Sequence, residues 1–223
     1  MSSPLDIEEV GPVRVLHWRD GENRFHGDSM AAWHAALDEL EAVDGPLAVV
    51  AVGDGKFFSN GLDLDWLSSA RDASAFMAEV HRLLGRMLVF PAYTVAALNG
   101  HTFAAGAMLS SAFDLRIMRE DRGYWCLPEV DLGLPLTPGM TATVTARLPA
   151  PAAADAMLTG RRYDAPAALA IGIADQIAPD AEVLDRAIEV ATVMATKNRS
   201  VIADHKRQLF GAASAACLAP GSG

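Results

Sequence analysis

The chain has little cysteine and little positive charge. Its two cysteines, Cys126 and Cys217, lie far apart among apolar residues, a pattern typical of buried thiols rather than of a disulfide or a metal pair. Acidic residues outnumber basic ones, 28 against 18, which gives a formal net charge of −10. Because there is also no basic block, the sequence argues against a nucleic-acid partner and against binding to an anionic membrane surface.

Long hydrophobic runs and targeting segments are also missing. No uncharged apolar run approaches the roughly twenty residues that a membrane-spanning helix needs. Residues 1–6 lack the basic segment and apolar core of a signal peptide, and residues 219–223 are not a peroxisomal address. We therefore expect a cytoplasmic protein without membrane association, and a disordered tail at residues 219–223.

The length and composition of the chain are those of a folded globular protein. The chain has 223 residues, of which 51% are hydrophobic and 21% are charged. This length suits one domain with a sizeable core.

The first half of the chain alternates between strand and helix patterns. Residues 5–9 and 13–18 flank a Gly-Pro turn pair, which predicts a β-hairpin. Asp28 is predicted to cap a helix with apolar residues at helical spacing. Residues 47–52 are wholly apolar, as in a strand covered on both faces.

The same alternation continues toward the middle of the chain. Residues 72–90 form a long helical pattern stopped by Pro91. A buried strand at 93–98, a short helix at 105–112 and a strand at 114–118 follow. Repeated strands and helices of this kind predict an α/β layered fold.

From Pro135 onward the pattern becomes mainly helical. Residues 173–177 are an exception and read as a short strand or an extended link. The predicted helices cover residues 139–148, 151–158, 165–171, 181–196 and 200–216.

Two features between residues 99 and 134 indicate a chemical site. A small-residue turn, Ala104-Ala105-Gly106-Ala107, opens a short helix, so backbone N–H groups can face an anionic ligand there. Glu129 follows in an apolar run, where desolvation would raise its pKa and make it a usable base or acid. Together they suggest a base and a site for an oxyanion.

Other motifs are better explained structurally. The turn at Gly53-Asp54-Gly55 has neither the Walker spacing nor the dinucleotide spacing. Asp63 and Asp65 resemble a metal pair, but no nearby ligand completes a site, so capping the next helix is the preferred role for one of them. Ser110 and Ser111 lack a nucleophile elbow and a signalled base.

Three segments in order resemble the crotonase superfamily, the enoyl-CoA hydratases and isomerases. They are F-F-S-N-G-L-D-L at 57–64, N-G-H-T-F-A-A-G at 99–106 and P-E-V-D-L-G-L-P at 128–135. The first and third are most similar to plant-type Δ3,Δ2-enoyl-CoA isomerases. The resemblance implies a spiral of ββα turns over residues 1–134, carrying the CoA-ester site. It also implies a helical C-terminal region at 135–223, within the same structural unit, that forms a homotrimer or a hexamer of two trimers.

The resemblance assigns catalytic roles to three residues. The backbone N–H groups of Leu62 and Ala105 would hold the enolate oxygen of a thioester, and Glu129 would move the proton. Hydratases of the family use two glutamates across a water, and the position of the first is occupied here by Met108. One carboxylate can move a proton from C2 to C4, so the resemblance implies isomerisation of 3-enoyl-CoA to 2-trans-enoyl-CoA, as in β-oxidation of unsaturated fatty acids.

Further residues are expected around the substrate. Asn99 is expected to brace its turn, whereas Lys56, Lys206 and Arg207 either meet CoA phosphates or are solvated. The walls of the acyl-chain pocket could be formed by Trp66, Phe58 and Leu136, which suit a hydrophobic core equally well. His101 either lines the pocket or is a hydrogen-bonded structural imidazole. Asp131, two residues from Glu129 in a segment taken as extended, should point to the opposite face. The full set assigned to substrate or CoA binding is Phe58, Asn60, Gly61, Asp63, Leu64, Trp66, His101, Gly106 and Leu136.

No metal and no separate cofactor are expected, since coenzyme A is part of the acyl-CoA thioester substrate. Two alternatives remain beside the isomerase. One is another crotonase-type reaction, such as weak hydration or thioester hydrolysis. The other is a non-catalytic acyl-CoA binder, against which the well-placed Glu129 argues.

Overall fold

The computed structural model describes residues 3–219, and strands and helices alternate throughout its first half. Its strands are β1 (Leu5–Val10), β2 (Val13–Trp18), β3 (Arg24–Phe25), β4 (Ala48–Gly53), β5 (Phe57–Ser59), β6 (Gly61–Leu62), β7 (Tyr93–Leu98), β8 (His101–Phe103), β9 (Leu115–Arg119), β10 (Trp125–Cys126) and β11 (Gln176–Ala178). Its helices are α1 (Gly27–Glu41), α2 (Leu64–Ser69), α3 (Ala73–Leu88), α4 (Ala105–Ala112), α5 (Glu129–Leu132), α6 (Pro138–Arg147), α7 (Ala150–Thr159), α8 (Ala165–Ile171), α9 (Asp180–Ala195) and α10 (Arg199–Leu218).

Six strands form the main sheet, in the order β1, β2, β4, β7, β9, β11. The predicted hairpin is confirmed as the antiparallel pair β1 and β2, and the other neighbours are parallel. Alternate residues of β4 enter two separate cores. Val49 and Ala51 join the larger core, whereas Val50 and Val52 join the core that includes α9. Strand β4 is therefore covered on both faces, as its uninterrupted apolar sequence predicts.

A second, smaller sheet gives the fold its spiral character. Strands β10, β8 and β5 run parallel in that order, and β3 pairs with β6 in a two-stranded sheet. Strands β4, β7 and β9 of the main sheet are each followed by a strand of the small sheet, and then by helix. This repeat is the succession of ββα turns that the family resemblance implies. The structural turn predicted at Gly53-Asp54-Gly55 is confirmed, because a turn joins β4 to β5 there.

Helix positions agree with the sequence patterns, with one wrong cap. Helix α1 begins at Gly27, before Asp28, which lies in the first turn. His26 occupies the N-cap position, and its backbone N–H donates a hydrogen bond of 2.9 Å to Ser29 Oγ. Asp28 therefore does not cap the helix, but its charge suits the helix N-terminus.

The region after residue 134 belongs to the same structural unit as the rest. Strand β11 pairs with β9 at the edge of the main sheet. In α10, Lys206 is 4% exposed, and its ammonium group donates to Asp114 Oδ2 at 2.7 Å and to the carbonyl of Ala92 at 3.2 Å. Neither role foreseen for Lys206 is correct. It is a buried cation that anchors α10 beside β9. Removing either partner of this buried ion pair would leave an unpaired charge inside the protein and would lower its stability.

The remaining expectations about the chain concern its cysteines, membrane association and tail. Cys126 and Cys217 are both buried thiols, as predicted. Within residues 3–219 no helix is both long enough and apolar enough to cross a membrane. The predicted disordered tail falls almost wholly on residues 220–223, which lie outside the described part of the chain.

Candidate active site

A cavity of about 380 Å³ lies between the small sheets and the helices. Among the described residues its wall is apolar apart from Asn60, Thr137 and Glu129, and of these only Glu129 is ionisable. The cavity is open where Leu132 and Leu134 line it, since both are about half exposed, and closed where buried residues such as Met140 line it. The lining residues are Asn60, Leu62, Leu64, Leu67, Met77, Phe103, Ala104, Ala105, Met108, Pro128, Glu129, Leu132, Leu134, Pro135, Leu136, Thr137 and Met140.

Glu129 is carried into this cavity by the end of the small sheet. Strand β10 is followed by the buried Leu127 and by Pro128, and Glu129 is then the first residue of α5. Within the described residues, the Glu129 Oε2 atom is buried without a hydrogen-bond partner. Burial raises the pKa of Glu129 from its ordinary value to about 7. A carboxyl group with such a pKa can both accept and return a proton near neutral pH.

Asp131 lies close to Glu129 in sequence but has a different environment. The segment is one helical turn, not the extended chain that the sequence suggested. Asp131 is exposed and faces α7, since a Cβ atom placed on Gly160 would lie 2.6 Å from its Oδ2 atom. It does not line the cavity.

The turn before α4 adopts a backbone conformation that is rare for alanine. Ala104 has φ of 52° and ψ of −125°, and this kind of outlier costs on the order of 1–3 kcal/mol. Ala105 is the first residue of α4, so its N–H group has no acceptor within the helix. The strained residue Ala104 therefore directly precedes a backbone donor at the cavity wall. The sequence pattern does not predict this strain.

The second backbone segment, Gly61-Leu62, lies directly against the first. Gly61 has φ of +81°, and a Cβ atom added to it would lie 2.7 Å from Ala104 Cβ and 3.3 Å from the Ala105 nitrogen. Leu62 and Ala105 both line the cavity. The two peptide segments that the sequence proposes as oxyanion donors are therefore neighbours at one wall.

Met108 lies where the family resemblance places the first hydratase glutamate. It is 2% exposed, lines the cavity and follows Ala105 by about one turn of α4. A thioether cannot act as a base toward water. The cavity therefore combines one desolvated carboxylate with two adjacent backbone segments.

The other predicted substrate-binding residues divide into two groups. Asn60, Leu64 and Leu136 line the cavity, and the amide of Asn60 also donates to Glu22 Oε2 at 2.7 Å. Phe58 does not line it, because its side chain is 1% exposed within the core. Trp66 packs on Phe76 with ring centroids 4.7 Å apart, so it too is packing rather than cavity wall.

Three further predicted residues lie outside the cavity lining. Gly61 and Gly106 act through close backbone approach, since a Cβ atom on Gly106 would lie 2.6 Å from Ser59 Cβ. Asp63 caps α2, where its carboxylate accepts the Trp66 N–H at 3.0 Å. This confirms capping as the role of one member of the Asp63 and Asp65 pair.

His101 also lies away from the cavity. Its ring stacks on Tyr124 with centroids 5.8 Å apart and contacts Phe57 and Phe103. Burial, with the nearby cations Lys56, Arg122 and Arg162, lowers its pKa. Of the two roles considered, lining the pocket is therefore wrong, and His101 is a ring within an aromatic cluster.

Three further observations concern a metal site, a hydrolase triad and the role of Asn99. No cluster of metal-ligating side chains occurs between residues 3 and 219. Ser110 and Ser111 both donate to the carbonyl of Ala107 within α4, so they do not form a hydrolase triad. Asn99 braces its turn as expected, accepting from the Gly53 N–H at 2.9 Å.

Comparisons with known proteins identify the family of this chain. Residues 14–219 match the family described as enoyl-CoA hydratase/isomerase. The peroxisomal enoyl-CoA delta isomerase 2 of Arabidopsis thaliana is 32% identical over 92% of this chain and 91% of its own length. A probable enoyl-CoA hydratase of Bacillus subtilis is 30% identical over 92% of this chain and 81% of its own length.

Solved structures show the same fold. The apo structure of the Mtb enoyl-CoA isomerase superposes with a TM-score of 0.89 and 29% identity, covering 97% of this chain and 95% of its own. An enoyl-CoA hydratase from Mycobacterium marinum superposes with a TM-score of 0.88 and 26% identity, over 96% and 94% of the two chains. Both isomerase and hydratase names therefore occur among similar proteins.

The contact between the two backbone segments predicts the effect of a single methyl group. We expect Gly61→Ala to reduce the free energy of unfolding by about 1–3 kcal/mol more than Gly55→Ala, measured by urea denaturation. Both glycines have positive φ, but a Cβ atom on Gly55 has nothing within 4 Å, whereas one on Gly61 meets Ala104. Equal losses for the two variants would contradict the close approach of the segments.

Proposed function

Because this chain belongs to the enoyl-CoA hydratase/isomerase family, we propose that it is a Δ3,Δ2-enoyl-CoA isomerase. The proposed reaction converts a 3-enoyl-CoA into its 2-trans-enoyl isomer through a thioester dienolate, as required in β-oxidation of unsaturated fatty acids. The single observation that supports it is a cavity with one desolvated carboxylate, Glu129, and a methionine, Met108, where a second acid would be needed for hydration.

Proton abstraction needs stabilisation of the developing charge. A C–H group next to a thioester carbonyl is a far weaker acid than any side-chain carboxyl. In the proposed mechanism the N–H groups of Leu62 and Ala105 donate to the thioester oxygen as it becomes an enolate oxygen. Donors already in place are strongest in a cavity that excludes water, and losing one typically costs on the order of 10²–10³ in rate. The N-terminus of α4 adds a partial positive charge on the same side.

Glu129 then serves both proton transfers. Its carboxylate takes a proton from C2, and the electron pair of that C–H bond enters the conjugated dienolate. The protonated Glu129 returns the proton to C4, so the double bond moves from C3–C4 to C2–C3. Atoms balance within the substrate and one side chain, and the proposed reaction needs neither a metal nor a separate cofactor.

The proposed assembly follows the same family. We propose a homotrimer, or a hexamer of two trimers, formed through the helices after residue 134. This region leaves large apolar side chains exposed, including Leu158 at 75% and Leu209 at 71%. Burying such side chains against another copy would remove apolar area from water.

Replacing the carboxylate by an amide tests its role directly. We expect Glu129→Gln to lower kcat for a 3-enoyl-CoA by at least about 10³, since general acid–base catalysis of this kind is typically worth 10²–10⁴ per step. Binding of a saturated acyl-CoA, measured by calorimetry, should change little. Asp131→Asn is the matched control, because it removes a neighbouring carboxylate that faces α7.

The same assay separates the alternative reactions. Products are followed as the conjugated thioester, as 3-hydroxyacyl-CoA and as free thiol, with 2-enoyl and 3-enoyl substrates. Undiminished isomerisation by Glu129→Gln, or hydroxyacyl product or thiol as the main output of the natural protein, would reject the proposal. Tight binding without any turnover would favour a non-catalytic binder.

The pKa of Glu129 predicts the pH dependence. Below its pKa of about 7 the carboxyl group holds a proton and cannot accept another. We therefore expect kcat/KM for the 3-enoyl-CoA to rise about tenfold per pH unit below pH 7 and to level off above it, as for one ionising base in the free enzyme. Stopped-flow absorbance of the conjugated product measures the profile. A flat profile between pH 5 and pH 7, with the protein folded throughout, would contradict the assignment of the base.

A further inference from the structure

A fully buried histidine links two walls of the cavity without entering it. His81, in α3, is 0% exposed. Its Nδ1 atom lies 2.7 Å from the carbonyl oxygen of Met77, and its Nε2 atom lies 2.6 Å from Thr137 Oγ1. Met77 belongs to α3 and Thr137 caps α6, and both line the cavity.

The direction of these hydrogen bonds follows from the groups involved. A carbonyl oxygen only accepts, so Nδ1 carries the proton that is donated to Met77. Burial lowers the pKa of His81, so the ring is neutral near pH 7 and Nε2 is an acceptor. The Thr137 hydroxyl group therefore donates to His81 and accepts the backbone N–H of Met140 at 3.3 Å. Its hydrogen is directed away from the cavity.

The residues on either side of this link form the closed end of the cavity. Met140 is 5% exposed, in contrast to the exposed leucines at the open end. Met77 and Met140 come from α3 and α6, which pack against each other. The closed end thus lies between these two helices and has two flexible thioether side chains in its apolar wall.

We propose that His81 is a positioning residue that sets the width of this closed end and so selects the length of the acyl chain. Its bond to the Met77 carbonyl, within α3, fixes the orientation of the ring, and its bond to Thr137 then holds α3 and the start of α6 at a fixed separation. It also keeps the Thr137 hydrogen turned away, so the acyl tail meets no donor there. This inference rests on the proposed function, because it assumes that the cavity holds an acyl-CoA.

Chain length is the property that distinguishes this role from general support. A short acyl chain occupies the part of the cavity near Glu129 and Met108 and does not reach Met77 and Met140. A longer chain passes between α3 and α6, where the spacing set by His81 matters. Loss of the link should therefore weaken long-chain binding selectively, whereas a merely structural role would affect all chain lengths alike.

The test compares butyryl-CoA and decanoyl-CoA binding by calorimetry in His81 variants of the full-length protein. We expect His81→Leu to raise the Kd for decanoyl-CoA by about three- to tenfold, as for loss of one buried hydrogen bond. The Kd for butyryl-CoA should change by less than about twofold. His81→Gln keeps an acceptor near the Nε2 position and should restore most of the preference, whereas His81→Asn should not.

His34→Leu is the matched control. His34 is also buried and also lies 3.2 Å from a carbonyl of α3, that of Glu79, but its hydrogen-bond partners among the described residues, Glu79 and Arg86, do not line the cavity. His34→Leu should therefore leave the ratio of the Kd values for decanoyl-CoA and butyryl-CoA unchanged. If His81→Leu does not fold, Thr137→Val replaces it, with Thr137→Ser retaining the hydroxyl group.

Equal weakening of both ligands, or an unchanged ratio in His81→Leu or Thr137→Val, would overturn the inference. Failure of the proposed function is distinguishable from this outcome. In that case the natural protein would not turn over 3-enoyl-CoA of any length, while the binding ratio would still report on His81.

Discussion

The burial of one carboxylate in an apolar cavity is the constraint on which the rest of this site depends. An ionised carboxylate without a partner is costly inside a protein, and Glu129 responds with a pKa raised to about 7. Strand β10 and Pro128 hold it at the cavity wall, and its Oε2 atom has no donor among the described residues. A second acid nearby would alter this balance, and the fold places the thioether of Met108 there instead.

In the proposed mechanism, the backbone meets the opposite requirement, for positive partial charge. Two peptide segments, at Gly61-Leu62 and Ala104-Ala105, are held against each other although Ala104 has an unfavourable conformation. The short strands β5, β6 and β8 supply the support, because they fix both turns in paired backbone. Strain at one residue is thus maintained by the surrounding sheets, as is common where a backbone group must face a ligand.

Much of this architecture can be predicted from the sequence, and the features that cannot be predicted have physical reasons. The hairpin, the long helices and the helix cap at Asp63 follow from local patterns. Strands of two or three residues, such as β3 and β6, are too short to show a period. Lys206 was misread because its partner, Asp114, is distant in sequence. The closed end of the cavity could not be foreseen, since it arises where α3 and α6 pack together.

The central claim of the proposal is that Glu129 is the single base for both proton transfers, and isotope transfer measures it most directly. A 3-enoyl-CoA deuterated at C2 is isomerised in ordinary water, and the product is examined by NMR in the first turnovers. The account predicts that a measurable fraction of the label appears at C4, carried there by the carboxyl group of Glu129. Product with only solvent hydrogen at C4, even in the earliest turnovers, would contradict it.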